Sequence, residues 1–172
     1  LAKALSRNPN IDFAQPDYKY QAAALPNDPY YGQQWHLPIM QAPDAWNYSD
    51  GTGVTVAVLD TGVNGNHLDL SGKVLGGWNT VSNNSDASDW HDHGTAVAGT
   101  IAAYTNNGTG VASTAPGTKI LPIRITNDGW AFSSDMAEGI SWAADNGARV
   151  VNISFSGAAG DSAVANAASQ MM

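Results

Sequence analysis

The alternation of β-branched runs and helical patterns is the feature that most constrains how this chain can fold. Four compact apolar runs predict buried strands at residues 54–59, 73–78, 119–125 and 149–155. Helical patterns separate them at residues 94–104 and 133–146, the second with Ser133 or Ser134 as N-cap and Gly147 as its C-terminal stop. Strands that alternate with helices predict an α/β fold, with a mostly parallel sheet and helices on both faces.

The charge balance excludes several classes of partner. Seven Lys and Arg residues stand against 15 Asp and Glu residues, and a formal net charge of −8 leaves no basic face for nucleic acid or an anionic membrane. No apolar run approaches the roughly 18 residues of a membrane span. The chain has no cysteine, which excludes disulfides and thiolate metal sites and suits an exported protein stabilised by other means.

Two residues at predicted element ends are candidates for chemistry. Asp60 follows the first strand run in VAVLDTGV, and His93 begins the small-residue helix in WHDHGTAVAGTIAA. Taken alone, Asp60 could equally close the strand in an Asx-turn, and His93 could bond to nearby backbone. Taken together, they fit a carboxylate that orients a histidine base at the carboxyl edge of the sheet, a pair that requires a hydroxyl nucleophile.

These stretches resemble the motifs of the subtilisin-like serine proteases (subtilases), and of their thermitase-like branch in particular. VAVLDTGV resembles the family's aspartate motif and HDHGTAVAGTIAA its histidine motif, while ASTAPGTKILPIRI and GISWAADNGARVVNISFSG resemble the stretches that follow. The resemblance covers residues 26–166 and implies a three-layer sandwich, with Asp60 as the orienting carboxylate and His93 as the general base. His91 matches no catalytic position and is expected at the rim of the site.

Two further segments resemble the walls of the family's substrate cleft. One resembles the edge that pairs with the substrate backbone, and the other the lining of the pocket for the side chain before the scissile bond. The candidate substrate-binding residues are Asn127, Asp128, Gly129 and Trp130 in the first segment and Ser154, Phe155, Ser156 and Gly157 in the second. Phe155 and Ser156 stand where leucine and glycine are common, so the pocket is expected to differ in shape. Without the resemblance, the second segment would be read as an ordinary strand-end turn.

The resemblance also predicts how the chain divides. Residues 1–24 resemble the end of an inhibitory propeptide whose tail occupies the cleft until cleavage between Tyr18 and Leu25, although a plain N-terminal arm is the alternative. Residues 25–172 resemble the N-terminal half of a catalytic domain, a truncated form of the fold. The family's Gly-Thr-Ser nucleophile and its oxyanion asparagine are not matched here, and Ser154, Ser156 and Ser162 lack that context. We therefore expect the 172 residues alone to be inactive.

The function implied is a secreted serine endopeptidase, monomeric when complete, whose partners are polypeptide substrates and its own propeptide. Two alternatives come from other classes. One is a non-catalytic binding module on the same scaffold. The other is a metal-dependent hydrolase with zinc or manganese held by His91, His93, Asp60 and Asp92, although a His-x-His pair at a helix start points its side chains apart.

A calcium ion is the cofactor that the resemblance implies. Ca²⁺ takes about six to eight oxygen ligands, and the loop YTNNGTGV resembles the family's tight calcium loop. The expected ligands are the carbonyls of Tyr104, Thr109 and Val111, the side-chain oxygen of Asn107 and the carboxylates of Asp28 and Asp69. The alternative is that both aspartates cap turns. A second, weaker site is doubtful, because only Asp86 and Asp89 remain to supply charge there.

Overall fold

The structure is a computed structural model that describes residue 5 and residues 7–16, 25–157 and 160–171. In chain order, the elements are a 3-10 turn Tyr31–Gln33, helices α1 (His36–Ile39) and α2 (Ala42–Ala45), strands β1 (Thr55–Asp60) and β2 (Trp78–Asn79), helix α3 (His93–Ala102), strand β3 (Lys119–Arg124), helix α4 (Ser133–Asp145), strand β4 (Val150–Ile153) and helix α5 (Ser162–Gln170).

The four strands form one parallel sheet in the order β2-β3-β1-β4. β1 lies inside the sheet, with Leu59 opposite Ile123 of β3 on one side and Ile153 of β4 on the other. Among the described residues β4 has a strand partner on one side only, and Val150 at its start is 48% exposed. The α/β class and the parallel sheet predicted from the alternating runs are confirmed.

Helices cover both faces of this sheet, because successive side chains of a strand point to opposite faces. On one face, Ala57 and Leu59 of β1 pack in a core with Ile140 of α4 and Ala167 of α5. On the other face, two valines of β1 and one isoleucine of β3 pack with helix α3 and the segment that follows β1, in a cluster formed by Val56, Val58, Val63, Leu70, Ala98, Ala102 and Ile120. The predicted three-layer arrangement is therefore present.

The second predicted strand, at residues 73–78, is wrong in extent. Only Trp78–Asn79 is a strand, and an isolated bridge joins Val74 to Ile120. The ladder on this side uses the backbone of Ile120 and Arg124, while Pro122 between them has no N–H to donate. A Cβ on Gly77 would lie 2.2 Å from the Pro122 carbonyl oxygen, so the chain passes β3 too closely for any other residue.

Helix ends match the predictions in part. Gly147 follows Asn146, the C-cap of α4, and has φ +82, as its predicted role as a stop requires. The predicted serine N-cap of α4 is wrong, because the capping position is Phe132 with no side-chain bond, while the Ser133 hydroxyl donates to Asp161. Asp161 caps α5 by accepting hydrogen bonds from the backbone N–H groups of Ala163 and Val164.

The N-terminal segment is described in part. The predicted cleavage range falls almost entirely on residues 17–24, which lie outside the described residues, and residues 11–16 form no strand. The N–H of Asn27 donates to the side chain of Asn106, and further along the chain Tyr31, Leu37 and Ala42 bury against Ala112. Within the described residues, no helix is long and apolar enough to cross a membrane.

Candidate active site

A buried carboxylate and an exposed imidazole meet at the carboxyl end of β1. Asp60, the last residue of β1, is fully buried, and its Oδ1 lies 2.7 Å from Nδ1 of His93. The same oxygen accepts a hydrogen bond of 2.7 Å from the Thr61 N–H. Among the described residues, no group hydrogen-bonds Nε2 of His93, and the imidazole is 46% exposed. The pair can therefore orient an imidazole whose other nitrogen faces the solvent.

Helix α3 can approach the end of β1 only because of a glycine. His93 is the first residue of α3, and a Cβ on the next residue, Gly94, would lie 2.1 Å from the carbonyl oxygen of Gly62. The Gly94 N–H donates a hydrogen bond of 2.9 Å to the Thr61 hydroxyl. The Phe155 ring meets the His93 ring edge-on at 6.3 Å between centroids. The absence of a side chain at Gly94 thus allows the base to reach the carboxylate.

Asp89, which the sequence suggested only as a ligand of a doubtful second calcium site, holds the turn before His93. Its carboxylate accepts hydrogen bonds from the Thr61 hydroxyl, from the N–H groups of His91 and Asp92, and from both the N–H and the hydroxyl of Thr95. Burial works to raise the pKa of Asp89, but the hydrogen bonds from Thr95, His91 and Thr61 outweigh it and hold that pKa below its ordinary value. The sequence offered one signal for this role of Asp89. An Asp lies two residues before the HDH tripeptide, and a Thr lies two residues after it.

A cleft of about 690 Å³ opens beside His93 and contains most of the predicted substrate-binding residues. Gly129 and Trp130 form one wall, and Ser154, Phe155, Ser156 and Gly157 form another. Asn127 and Asp128 do not line it; Asp128 instead closes a turn by accepting the Trp130 N–H at 3.0 Å. Sequence reasoning missed the lining residues Met136, Ile153, Asp161 and Val164, which come from elements that only the folded chain brings together.

His91 lies at the rim of this cleft, as predicted. Its ring contacts the Trp90 ring at 5.3 Å between centroids, and its N–H donates to Asp89. Across the described part of the chain, no three His, Cys, Asp or Glu side chains come together as metal ligands do. The metal-hydrolase alternative built on His91, His93, Asp60 and Asp92 therefore lacks a converging ligand set.

The residues expected to bind calcium do come together. Asp28 and Asp69 are 4% and 1% exposed, and both carboxylates face the loop after α3. Asp28 accepts the N–H of Asn106 at 2.7 Å, and Asp69 accepts the N–H of Val111 and the Nδ2 of Asn107, each at 2.9 Å. Two buried carboxylates that face one short loop form an oxygen-rich and negatively charged cluster.

The backbone of the same loop adds carbonyl oxygens to this cluster. In the described residues, no hydrogen bond is made to the carbonyl oxygens of Tyr104, Thr109 or Val111. The Oδ1 of Asn107 accepts the Thr109 N–H at 2.9 Å, so this oxygen lies inside the turn. The donor set, with carboxylate, amide and free carbonyl oxygens, is of the kind that Ca²⁺ prefers.

Comparison with known proteins matches this chain to one family. Residues 51–172 match the Subtilase family, Peptidase_S8. The sequence is 46% identical over 144 residues to "Thermitase" from Thermoactinomyces vulgaris, which is 83% of this chain and 52% of the relative. It is 35% identical over 202 residues to "Extracellular basic protease" from Dichelobacter nodosus, covering 91% of this chain and 33% of the relative.

The fold also matches solved structures. A protease from Pseudoalteromonas arctica superposes with a TM-score of 0.76 at 35% identity, over 86% of this chain and 56% of that chain. Fervidolysin from Fervidobacterium pennivorans, "a keratinolytic enzyme related to subtilisin", superposes with a TM-score of 0.68 at 32% identity, over 90% of this chain and 26% of that chain. The chain thus spans about half or less of the length of these relatives.

Proposed function

This chain belongs to the subtilase family, and from that premise we propose that it carries the aspartate and the histidine of an Asp-His-Ser triad in a secreted serine endopeptidase. The observation that carries the proposal is the 2.7 Å contact between the buried Asp60 carboxylate and Nδ1 of His93. A histidine oriented in this way presents Nε2 to a hydroxyl nucleophile. Asp60 fixes the imidazole tautomer and stabilises the imidazolium that forms during the reaction.

The reaction then follows from the chemistry of the pair. Nε2 of His93 removes the proton from a serine hydroxyl, whose oxygen attacks the carbonyl carbon of the peptide bond. The same nitrogen returns that proton to the leaving amine. A water molecule, deprotonated by the same nitrogen, then attacks the acyl group and releases it from the serine. We propose that this serine, and the asparagine that stabilises the oxyanion, lie outside these 172 residues, because no Gly-Thr-Ser sequence occurs within them.

The substrate class is a polypeptide in extended conformation. A peptide strand laid along the Gly129–Trp130 wall can bond through its main chain, while the Ser154–Gly157 wall receives alternate side chains. Main-chain bonds do not read sequence, so broad specificity is expected. The apolar lining from Met136, Phe155 and Val164 favours hydrophobic side chains in the cleft.

Export and processing are part of the same proposal. Relatives named "Extracellular basic protease" and "Extracellular protease" support secretion, and the absence of cysteine is compatible with it. Residues 1–24 are proposed to be the end of an inhibitory propeptide that occupies the cleft before cleavage. The complete enzyme is proposed to act as a monomer.

Calcium is proposed as the structural cofactor. Asp28, Asp69 and Asn107 would supply side-chain oxygens, and Tyr104, Thr109 and Val111 would supply the carbonyls described above. The bound ion would neutralise two buried carboxylates and tie the N-terminal segment that holds Asp28 to the loop after α3. Its role is stability, since the loop lies at the other end of α3 from His93.

The experiment compares the 172-residue chain with the same chain extended to the length of its relatives. We expect the extended protein to hydrolyse a generic peptide substrate and a serine-directed inhibitor to abolish the activity, while the 172 residues alone hydrolyse nothing. His93→Ala in the extended protein is the matched control and should remove turnover. Peptide binding without hydrolysis by the extended protein would instead support the binding-module alternative.

A further inference from the structure

The turn that leads into His93 is under conformational stress. Asp92 has φ +68, a left-handed conformation that non-glycine residues adopt rarely, and it directly precedes the first residue of α3. Such a backbone persists only where the surroundings hold it. The N–H groups of His91 and Asp92 both donate to Oδ1 of Asp89, at 3.0 and 3.1 Å, so this one carboxylate holds the turn from inside.

The same carboxylate also holds the first turn of α3. Oδ2 of Asp89 accepts the Thr95 N–H at 2.9 Å and the Thr95 hydroxyl. In α3 the residue at the capping position, Asp92, makes no side-chain cap bond. Asp89 therefore satisfies a backbone donor that the helix start would otherwise leave free.

A third contact connects this turn to the strand that carries the catalytic carboxylate. The Thr61 hydroxyl donates to Oδ1 of Asp89 at 2.8 Å and accepts the Gly94 N–H at 2.9 Å. Thr61 is 2% exposed and follows Asp60 directly. Asp89, Thr61 and Gly94 thus form a continuous bridge between the two elements that bear the base and its carboxylate.

The histidine depends on such a bridge because packing does little to hold it. Its imidazole is 46% exposed, and one of its contacts is the edge of the Phe155 ring. The position of the ring is therefore set by the backbone at the start of α3 and by the hydrogen bond to Asp60. A base displaced by about 1 Å can lose on the order of 100-fold in rate.

We propose that Asp89 is a positioning residue for this active site, holding the backbone of His93 against the strand end that carries Asp60. The proposal rests on the function proposed above, but its geometric part concerns the Asp60–His93 hydrogen bond whether or not the protein cleaves peptides. Asp89 acts through the backbone of residues 91–95 and through Thr61. The lowered pKa of Asp89 keeps its carboxylate ionised, and an ionised acceptor makes the stronger hydrogen bonds.

The first test observes the hydrogen bond itself in the 172-residue chain. In histidine labelled with ¹⁵N, the proton on Nδ1 of His93 gives a resonance that is assigned by its loss in His93→Ala. In Asp89→Asn an amide NH₂ replaces one acceptor oxygen, so at least one of the five bonds becomes a donor–donor contact. We expect the Nδ1 proton to exchange with solvent about tenfold faster or more than in the parent.

The matched control is Asp86→Asn on the same loop. Asp86 is exposed, and its carboxylate accepts from the N–H and the hydroxyl of Ser88; within the described residues it accepts no hydrogen bond from α3. This variant should leave the His93 resonance as it is in the parent. An equal His93 signal in parent, Asp86→Asn and folded Asp89→Asn would overturn the proposal, because Asp89 would then be an ordinary helix cap.

A second pair of variants keeps the test decisive if Asp89→Asn does not fold. Thr61→Val removes the bridging hydroxyl with little change in volume, and Thr61→Ser restores it. Faster exchange of the His93 proton in Thr61→Val, reversed in Thr61→Ser, is expected. The absence of any difference between these two folded variants would also overturn the proposal.

The catalytic consequence is measured in the extended protein. Asp89→Asn should lower kcat by about 10- to 100-fold while KM stays within a factor of about two, because Asp89 makes no hydrogen bond to the cleft walls at residues 129–130 and 154–157 and acts on the position of the base. A loss that appeared only in KM would contradict the positioning role. An inactive parent would refute the proposed protease function, and the proton-exchange result would still decide the role of Asp89.

Discussion

Replacing Gly94 by alanine tests whether the approach of α3 to β1 sets the active-site geometry. The added Cβ would lie 2.1 Å from the carbonyl oxygen of Gly62 and 3.2 Å from Oδ1 of Asp60. Carbon and carbonyl oxygen normally stay about 3.3 Å or more apart, so the helix start must retreat by about 1 Å. Gly62 cannot yield easily, because at φ +102 it is packed so closely that a Cβ there would lie 2.3 Å from the Ser88 carbonyl oxygen.

The size of the effect follows from two opposing terms. Overpacking of this kind costs about 1–3 kcal/mol, while alanine within a helix gains up to about 1 kcal/mol over glycine. We expect Gly94→Ala to destabilise the fold by about 1–2 kcal/mol, which lowers Tm by about 2–8 °C in a chain of this size. In the extended enzyme the displacement of His93 by about 1 Å should cost on the order of 100-fold in kcat.

Gly99→Ala is the matched control, because the same substitution in the same helix meets no atom within 4 Å. It should stabilise the chain by about 0.5–1 kcal/mol and leave activity intact. Thermal and urea unfolding of both variants, with kcat and KM of the extended forms, give the comparison. Equal stability of the two variants, or full activity in Gly94→Ala, would refute the reasoning that steric closeness at Gly94 controls the site.

Three further predictions concern ionised groups. In the extended enzyme, Asp60→Asn should keep the fold but lower kcat about 10⁴-fold, since a neutral amide can hold the wrong imidazole tautomer. His91→Ala should lower kcat far less. An equal loss of kcat in both variants would mean that the wrong histidine had been assigned. The temperature midpoint of unfolding should be higher in millimolar calcium than in the presence of a chelator, because calcium binding stabilises the folded state by mass action. Asp69→Ala should lose this response to calcium. An unchanged response in the variant would contradict the proposed calcium site. The pKa of Asp89 is depressed below the ordinary 3.8, so its contribution to stability is full above that pH and is lost as the pH falls through the depressed pKa. The free energy of unfolding in urea should therefore fall less steeply at acid pH for Asp89→Asn than for the parent. The same pH dependence in both proteins would contradict this prediction.

Local patterns in the sequence were sufficient for three of the four strands, for helices α3 and α4, and for the Asp60–His93 pair. β1, β3 and β4 are short β-branched runs that are buried or half-buried in the sheet, and their period and length identify them without tertiary information. Asp60 and His93 were predictable because a parallel sheet collects the ends of its strands on one edge. The family motifs then singled out these two residues from other polar residues on that edge.

Tertiary structure alone decided the features that depend on contacts between distant segments. The strand predicted at residues 73–78 is shorter in the structure, because Pro122, more than 40 residues later, has no N–H to donate to it. The cleft is also lined by Met136 of α4, Val164 of α5 and Asp161, the N-cap of α5, and no local pattern specifies how these two helices pack. The role of Asp89 emerged in the same way: the sequence places it near His93, but which donors its carboxylate meets depends on how strand, turn and helix converge in space.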